Sequence, residues 1–144
     1  MNSDFEINLF NTFVSAIKYE DIFPKKIDLK TDSRGIFSEV IRSINQGQYS
    51  YSITNIGQTR GNHFHTRKFE RFLVISGSAK IELRKIGTND IISFDIDGNE
   101  PAYVDMIPWY THNLTNTGKT PLITLFWINE FYNESDSDTF FEKV

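Results

Sequence analysis

Two histidines separated by one residue, His63 and His65, are followed after four intervening residues by Glu70. On an extended strand, residues two apart share a face, so both imidazoles project to one side, inward if the strand lines a barrel. Glu70 opens the next β-prone run and brings a carboxylate to the same point. Gly57 and Gly77 stand at either end of the segment, where they allow tight backbone turns. The chain has no cysteine, which rules out a disulfide scaffold and any thiolate site, so a metal here must take imidazole or carboxylate ligands. The chemistry of such a set is Lewis-acid polarisation of a substrate oxygen. An isolated histidine is more often a packed or surface residue, but here two histidines, a glutamate and two glycines recur together, and that joint spacing favours a metal site.

These side chains need a sheet to position them. From Lys26 onward the sequence is a series of short β-prone runs: Lys26 to Thr31, Ile36 to Ser43, Gln48 to Ile56, Glu70 to Ser76, Lys80 to Ile86, Ile91 to Ile96, Tyr103 to Ile107 and Pro121 to Asn129. Between them lie stretches with turn chemistry, such as Asp32-Ser33-Arg34-Gly35, Gly87-Thr88-Asn89-Asp90 and Asn116-Thr117-Gly118. That rhythm predicts an all-β sandwich or barrel. Ahead of it, Ser3-Asp4-Phe5-Glu6 has the spacing of a capping box, and Phe10, Phe13, Val14 and Ile17 repeat at helical intervals. One short N-terminal helix is expected, packed outside the barrel. The resulting division is a helix over about 1–20, a barrel over 26–130 and a tail over 131–144, all in a single domain.

Composition agrees. A chain of 144 residues is long enough for one core, and 13 Phe, 6 Tyr and 2 Trp suit a sheet wrapped around an interior. A formal net charge of -4 without a long basic run argues against nucleic acid as a partner. The first residues lack the basic start and apolar core of an export signal, and no apolar run approaches the roughly 20 residues of a membrane span. A cytoplasmic protein with no membrane partner is expected.

The segment from Gly57 to Gly77 reads G-x5-H-x-H-x4-E-x6-G and resembles the first signature motif of cupins. His112-Asn113-Leu114-Thr115-Asn116 reads H-x3-N, like the end of the second motif, so that His112 would close a set of three histidines and one carboxylate. The resemblance implies a cupin jelly-roll β-barrel. A wider likeness runs from about Leu9 to the C-terminus. It is carried by Asp32-Ser33-Arg34-Gly35-Ile36-Phe37, Thr59-Arg60-Gly61-Asn62-His63, Tyr110-Thr111-His112-Asn113, Trp127-Ile128-Asn129-Glu130 and Asp138-Thr139-Phe140. Through these residues the chain resembles the C-terminal cupin domain of bifunctional UDP-2-acetamido-2,6-dideoxy-hexulose epimerase/reductases of capsular polysaccharide synthesis. In one respect it departs from them: three residues, Trp109-Tyr110-Thr111, separate Pro108 from His112 where four are common, so the loop before His112 must be tighter.

The resemblance implies a zinc-binding homodimer that inverts C3 of a UDP-4-keto-6-deoxy-N-acetylhexosamine through an enolate. Iron(II), manganese and nickel suit the same ligands. The chain has no glycine-rich dinucleotide fingerprint, so an NAD(P)H-dependent reductase would have to be separate. Arg60 is the candidate for gripping the nucleotide diphosphate, because its forked donors match phosphate oxygens. Tyr110 is a candidate acid or proton carrier, or else a packed tyrosine at the barrel mouth. His63 is a ligand, or the base if no metal is present. Lys80 and Arg84 alternate with Ile81 and Leu83, a pattern that fits either a solvated outer face or a polar lumen contacting substrate. The rival functions are a sugar-nucleotide 3,4-ketoisomerase, an iron(II) cupin dioxygenase and a non-catalytic sugar-binding cupin.

Overall fold

Period-two alternation and turn residues build two antiparallel sheets in the computed structural model, which describes residues 3–15, 28–43, 47–100 and 102–144. The elements in chain order are α1 (Asp4–Ser15), β1 (Lys30–Asp32), β2 (Gly35–Ser43), β3 (Gly47–Thr54), β4 (Thr59–Phe64), β5 (Glu70–Ser76), β6 (Ser78–Lys85), β7 (Ile91–Asp97), β8 (Tyr103–Met106), β9 (Tyr110–Asn116), β10 (Leu122–Ile128) and β11 (Phe140–Phe141). One sheet has the order β1-β2-β3-β10-β5-β8 and the other β11-β4-β9-β6-β7. Facing each other, they form the expected jelly-roll barrel.

The helix starts as its capping box predicts, with Glu6 N–H donating to Ser3 Oγ at 3.3 Å. Phe5, Leu9, Phe10 and Phe13 are exposed. Ile17 lies outside the described residues, as does the start of the run predicted from Lys26. Among the described residues, no helix is long and apolar enough to cross a membrane.

Phe72 and Val74 of β5, Ile81 and Leu83 of β6, Leu114 of β9, and Leu122 and Phe126 of β10 form the core between the sheets. The inner face of β3 is polar instead: Gln48, Ser50, Ser52 and Thr54 are buried, in register with Ile128, Phe126, Thr124 and Leu122 of β10. A cavity of about 520 Å³ opens beside the core, and of these four residues Gln48 lines it. It lies between β1 and β2 on one wall and β4 on the other. The cavity is lined in part by Lys30, Phe37, Arg60, His63 and Glu70.

Three strands depart from the predicted runs. β4 and β9 belong to the motif segments but do not read as β-prone runs, and β11 lies in the predicted tail. In β9, His112 and Asn113 are both buried, which hides the alternation of a half-exposed strand.

Candidate metal centre

A backbone irregularity sets up the site. Arg60 of β4 pairs with Leu114 of β9 and therefore faces the interior. His63, three residues on, would face outward on a regular strand. Between Gly61 and His63 the register shifts, so His63 pairs with His112 and both imidazoles enter the barrel. The irregularity needs φ of 96° at Gly61 and 59° at Asn62. A Cβ on Gly61 would stand 2.7 Å from the carbonyl oxygen of His112, so only glycine fits.

His65 arrives just past the end of β4, Glu70 opens β5, and both are buried. The tight loop before His112 closes through Trp109, whose backbone is left-handed at φ 66° and whose N–H donates to the carbonyl of His65 at 2.8 Å. That strained residue absorbs the shortened connection and leaves His112 in place. His63, His65, Glu70 and His112 each offer a ligand atom, and these atoms lie within 4.8 Å of one another.

The two most buried imidazoles are oriented by main-chain carbonyls. His65 Nδ1 is 2.5 Å from the Asp138 oxygen, and His112 Nδ1 is 3.3 Å from the Tyr110 oxygen. A carbonyl only accepts, so in each ring Nδ1 carries the hydrogen and the neutral ring presents the Nε2 lone pair. Those two Nε2 atoms are buried and have no hydrogen-bond partner. Both instead approach Glu70 Oε2, at 3.3 Å from His65 and 3.4 Å from His112, outside hydrogen-bonding geometry. Lone pairs facing a carboxylate oxygen in a buried cluster favour a positive charge between them, either a proton or a cation. A divalent ion would supply it with the donor set present, so the residues fit a metal.

Without an ion, the electrostatics are those of a group of charges sharing a small space. Burial pushes His63 down to about 4, helped by His112 beside it. Burial also lowers the His65 pKa, but contact with the Glu70 carboxylate outweighs it and holds the ring above its ordinary value. Glu70 is held well below the usual carboxylate range, because the His112 and His65 imidazoles more than offset the burial that would raise it.

Arg60 lines the same cavity. Its Nε donates to Thr54 Oγ1 at 3.0 Å and a terminal nitrogen donates to the Ile36 carbonyl at 3.4 Å. Among the described residues no carboxylate pairs with it, and burial together with nearby Arg34 lowers its pKa. Such a guanidinium suits an incoming anion.

The other predicted residues lie elsewhere. Tyr110 packs against the apolar core and is not part of the cavity wall. Lys80 and Arg84 lie on the face of β6 opposite the buried Ala79, Ile81 and Leu83, away from the cavity. Arg84 donates to Glu142 Oε1 at 2.8 Å and to the Lys143 carbonyl at 2.6 Å, so it anchors the tail. Of the two patterns open for this strand, the outward one is found, because the alternation is in register with the core.

Two residues in the site were not anticipated as such. Lys68 is 2% exposed, lines the cavity, donates to the Ser137 carbonyl and lies 5.4 Å from the Tyr132 ring. Asp138, in the tail, accepts from three successive backbone N–H groups, those of Thr66, Arg67 and Lys68. Only its place in the tail resemblance marks Asp138 in the sequence, and Lys68 carries no signal beyond lying between two ligands.

Known proteins resemble this chain in sequence or in fold. The UDP-2-acetamido-2,6-beta-L-arabino-hexul-4-ose reductase of Pseudomonas aeruginosa is 33% identical over 132 residues, covering 92% of this chain and 35% of that protein. The structure of the capsular polysaccharide assembling protein CapF from Staphylococcus aureus matches with a TM-score of 0.94 and 36% identity, over 99% of this chain and 38% of its own. The cupin domain of Drosophila melanogaster CENP-C, at 8% identity and TM-score 0.59 over 72% of this chain and 75% of its own, shares the fold alone. The chain thus spans little more than a third of the first two relatives. The sequence pattern of the polysaccharide biosynthesis C-terminal domain family matches residues 30–140, a span that contains both histidine segments and all but the end of the tail holding them. A cupin barrel with this match across most of its length is a member of the polysaccharide biosynthesis C-terminal domain family.

Proposed function

We propose that this chain is a metal-dependent sugar-nucleotide C3-epimerase that acts on a UDP-4-keto-6-deoxy-N-acetylhexosamine in cell-surface polysaccharide biosynthesis. One observation carries the reading: two buried Nε2 atoms without hydrogen-bond partners face a carboxylate in a cavity whose wall also holds a guanidinium with no carboxylate partner among the described residues. The first feature suits a carbonyl-polarising centre and the second a diphosphate. Support comes from the relatives, one named as a reductase of a UDP-hexulose and one as a capsule-assembling protein.

His63, His65, Glu70 and His112 would hold a divalent ion, with zinc favoured because it suits nitrogen and oxygen ligands without redox side reactions. When bound it supplies Lewis-acid stabilisation of negative charge on the sugar oxygen. Arg60 binds the diphosphate and fixes the sugar's position along the cavity. A basic group on the wall removes the proton from C3, the C–H electron pair moves onto the keto oxygen, and a proton returns to the opposite face of C3. Lys68, one of several protic groups lining that wall, would hold the developing oxyanion. The low proton affinity of His63 suits a ligand better than a base. The core packing of Tyr110 leaves it the role of orienting His112 through its carbonyl.

The reading extends to a homodimer, and to a ketone reduction performed by an NAD(P)H-dependent protein or domain outside these residues. The test is NMR of a UDP-4-keto-6-deoxy sugar in heavy water, with elemental analysis of the purified chain. Deuterium should enter at C3 with inversion and without migration of the ketone, and about one divalent ion should be found per chain. Ketone migration would instead identify a 3,4-ketoisomerase, and binding without exchange a sugar-binding cupin.

A further inference from the structure

We propose that Asp138 is a positioning residue of the metal centre: it ties the C-terminal strap to the turn between His65 and Glu70 and fixes which nitrogen of His65 faces the other ligands. The inference rests on the metal reading above.

Asp138 is 5% exposed, although it belongs to a segment of mostly exposed residues. Its backbone is left-handed at φ 43°, a conformation that costs an L-residue energy and that Asp and Asn tolerate best. Both of its polar ends are used. The carboxylate accepts from Thr66 N–H at 3.0 Å, Thr66 Oγ1 at 2.6 Å, Arg67 N–H at 3.0 Å and Lys68 N–H at 3.0 Å. Three consecutive amides converging on one carboxylate define the conformation of residues 66–68, the connection that sets His65 and Glu70 relative to each other. The carbonyl of the same residue takes the His65 Nδ1 hydrogen at 2.5 Å. One residue therefore holds both the ring and the backbone that carries it.

The neighbours on either side act in the same sense. The Ser137 carbonyl receives Lys68 Nζ. Phe140 and Phe141 pair with Phe64 and His63 of β4, and Glu142 N–H donates to the Asn62 carbonyl at 3.0 Å. The strap touches the strand of His63, the ring of His65 and the turn leading to Glu70. Its chemistry is that of an outer support whose loss weakens a metal site by about tenfold to a hundredfold.

The probe is Asp138→Asn, which keeps the size and the tolerance of positive φ but places an NH2 against amides that need an acceptor. Two quantities are measured on the full chain: zinc affinity by competition with a chromophoric chelator, and the His65 tautomer by 15N NMR of the metal-free protein at about pH 9, where free imidazoles are neutral. The parent chain should show His65 protonated at Nδ1. The variant should bind zinc about tenfold to a hundredfold more weakly and show a mixed His65 tautomer. Zinc affinity within about twofold of the parent with an unchanged tautomer would overturn the proposal, as would an Nε2–H tautomer in the parent. The parent tautomer decides the matter even if the variant does not fold. A parent that binds no divalent ion defeats the metal reading instead, and the tautomer then judges Asp138 separately.

Discussion

At the scale of single residues, the site depends on which side chains have partners and which do not. Arg60 is half-buried and, among the described residues, its side chain hydrogen-bonds a hydroxyl and a carbonyl and no carboxylate, so its removal should act on ligand binding more than on folding. Hydrogen bonds to charged groups contribute about 1.5–3 kcal/mol, so Arg60→Ala should weaken UDP binding by roughly 10- to 100-fold in isothermal titration calorimetry. An undiminished affinity would remove Arg60 from the substrate site. Replacing two ligands together, His65→Ala with Glu70→Ala, should abolish both the bound ion and exchange at C3, and full activity in that variant would contradict the metal-assisted mechanism. The titrating groups predict a pH profile for the metal-free chain. His63 has a lowered folded pKa, so the unfolded state binds its proton first, and stability should fall as pH drops from about 6.5 toward 4. Glu70 and Asp138, both depressed, add to that loss as pH falls below the ordinary carboxylate range. His65 is raised and works the other way: its contribution is complete below about 6.5 and is lost as pH rises through its folded value. Thermal melts of metal-free protein should therefore peak near pH 6.5, and a stability that rises steadily from pH 6 to 8 would contradict this assignment of charges.

At the scale of elements, the irregularity in β4 matters more than any single ligand. It turns an odd spacing, Arg60 to His63, into two side chains on one face. Gly61→Ala puts a methyl 2.7 Å from the His112 carbonyl oxygen at a φ of 96°. Strain of this kind costs about 1–3 kcal/mol, so the melting temperature should fall by several degrees. Zinc affinity should fall with it, because relief of the clash moves β4 away from β9 and His63 away from His112. A variant that melts lower yet binds zinc normally would show that the irregularity serves stability alone. These two strands were also the least visible in the sequence. β6 reads plainly, since Ala79, Ile81 and Leu83 alternate with charged residues. β9 does not, because its interior positions carry His112, Leu114 and Asn116, and a polar interior residue resembles a surface one.

At the scale of the whole molecule, the apolar core lies directly beside the cavity, and Phe72 and Phe126 belong to both, while the inner face of β3 is polar. Gln48, Ser50, Ser52 and Thr54 bury little apolar surface, so part of the stability of a loaded chain should come from the ion itself. Anything that binds the native state alone stabilises it by mass action, about 2.7 kcal/mol at a hundred times its dissociation constant. Chelation should accordingly lower the melting temperature and stop deuterium uptake at C3, and added zinc should restore both. An unchanged melting curve after complete metal removal would show that the fold does not draw on the site.

The sequence alone determined a good deal here. Period-two patterning and turn residues specify a sheet barrel, because alternation and tight turns are local properties that each run carries by itself. The spacing of His63, His65 and Glu70 marks the candidate ligands through the motif it matches, although His65 stands just past β4 and Glu70 opens the next strand. The tertiary structure decided what depends on contacts between distant segments. It separated Arg60, on the cavity wall, from Lys80 and Arg84, on the opposite face of β6. It packed Tyr110 against the core while leaving its carbonyl to orient His112. It brought Asp138, 73 residues away, to hold His65. The physical reason is that facing and pairing across strands are set by register. A one-residue shift such as that at Gly61 reverses them, and its partner strand lies about fifty residues further along the chain.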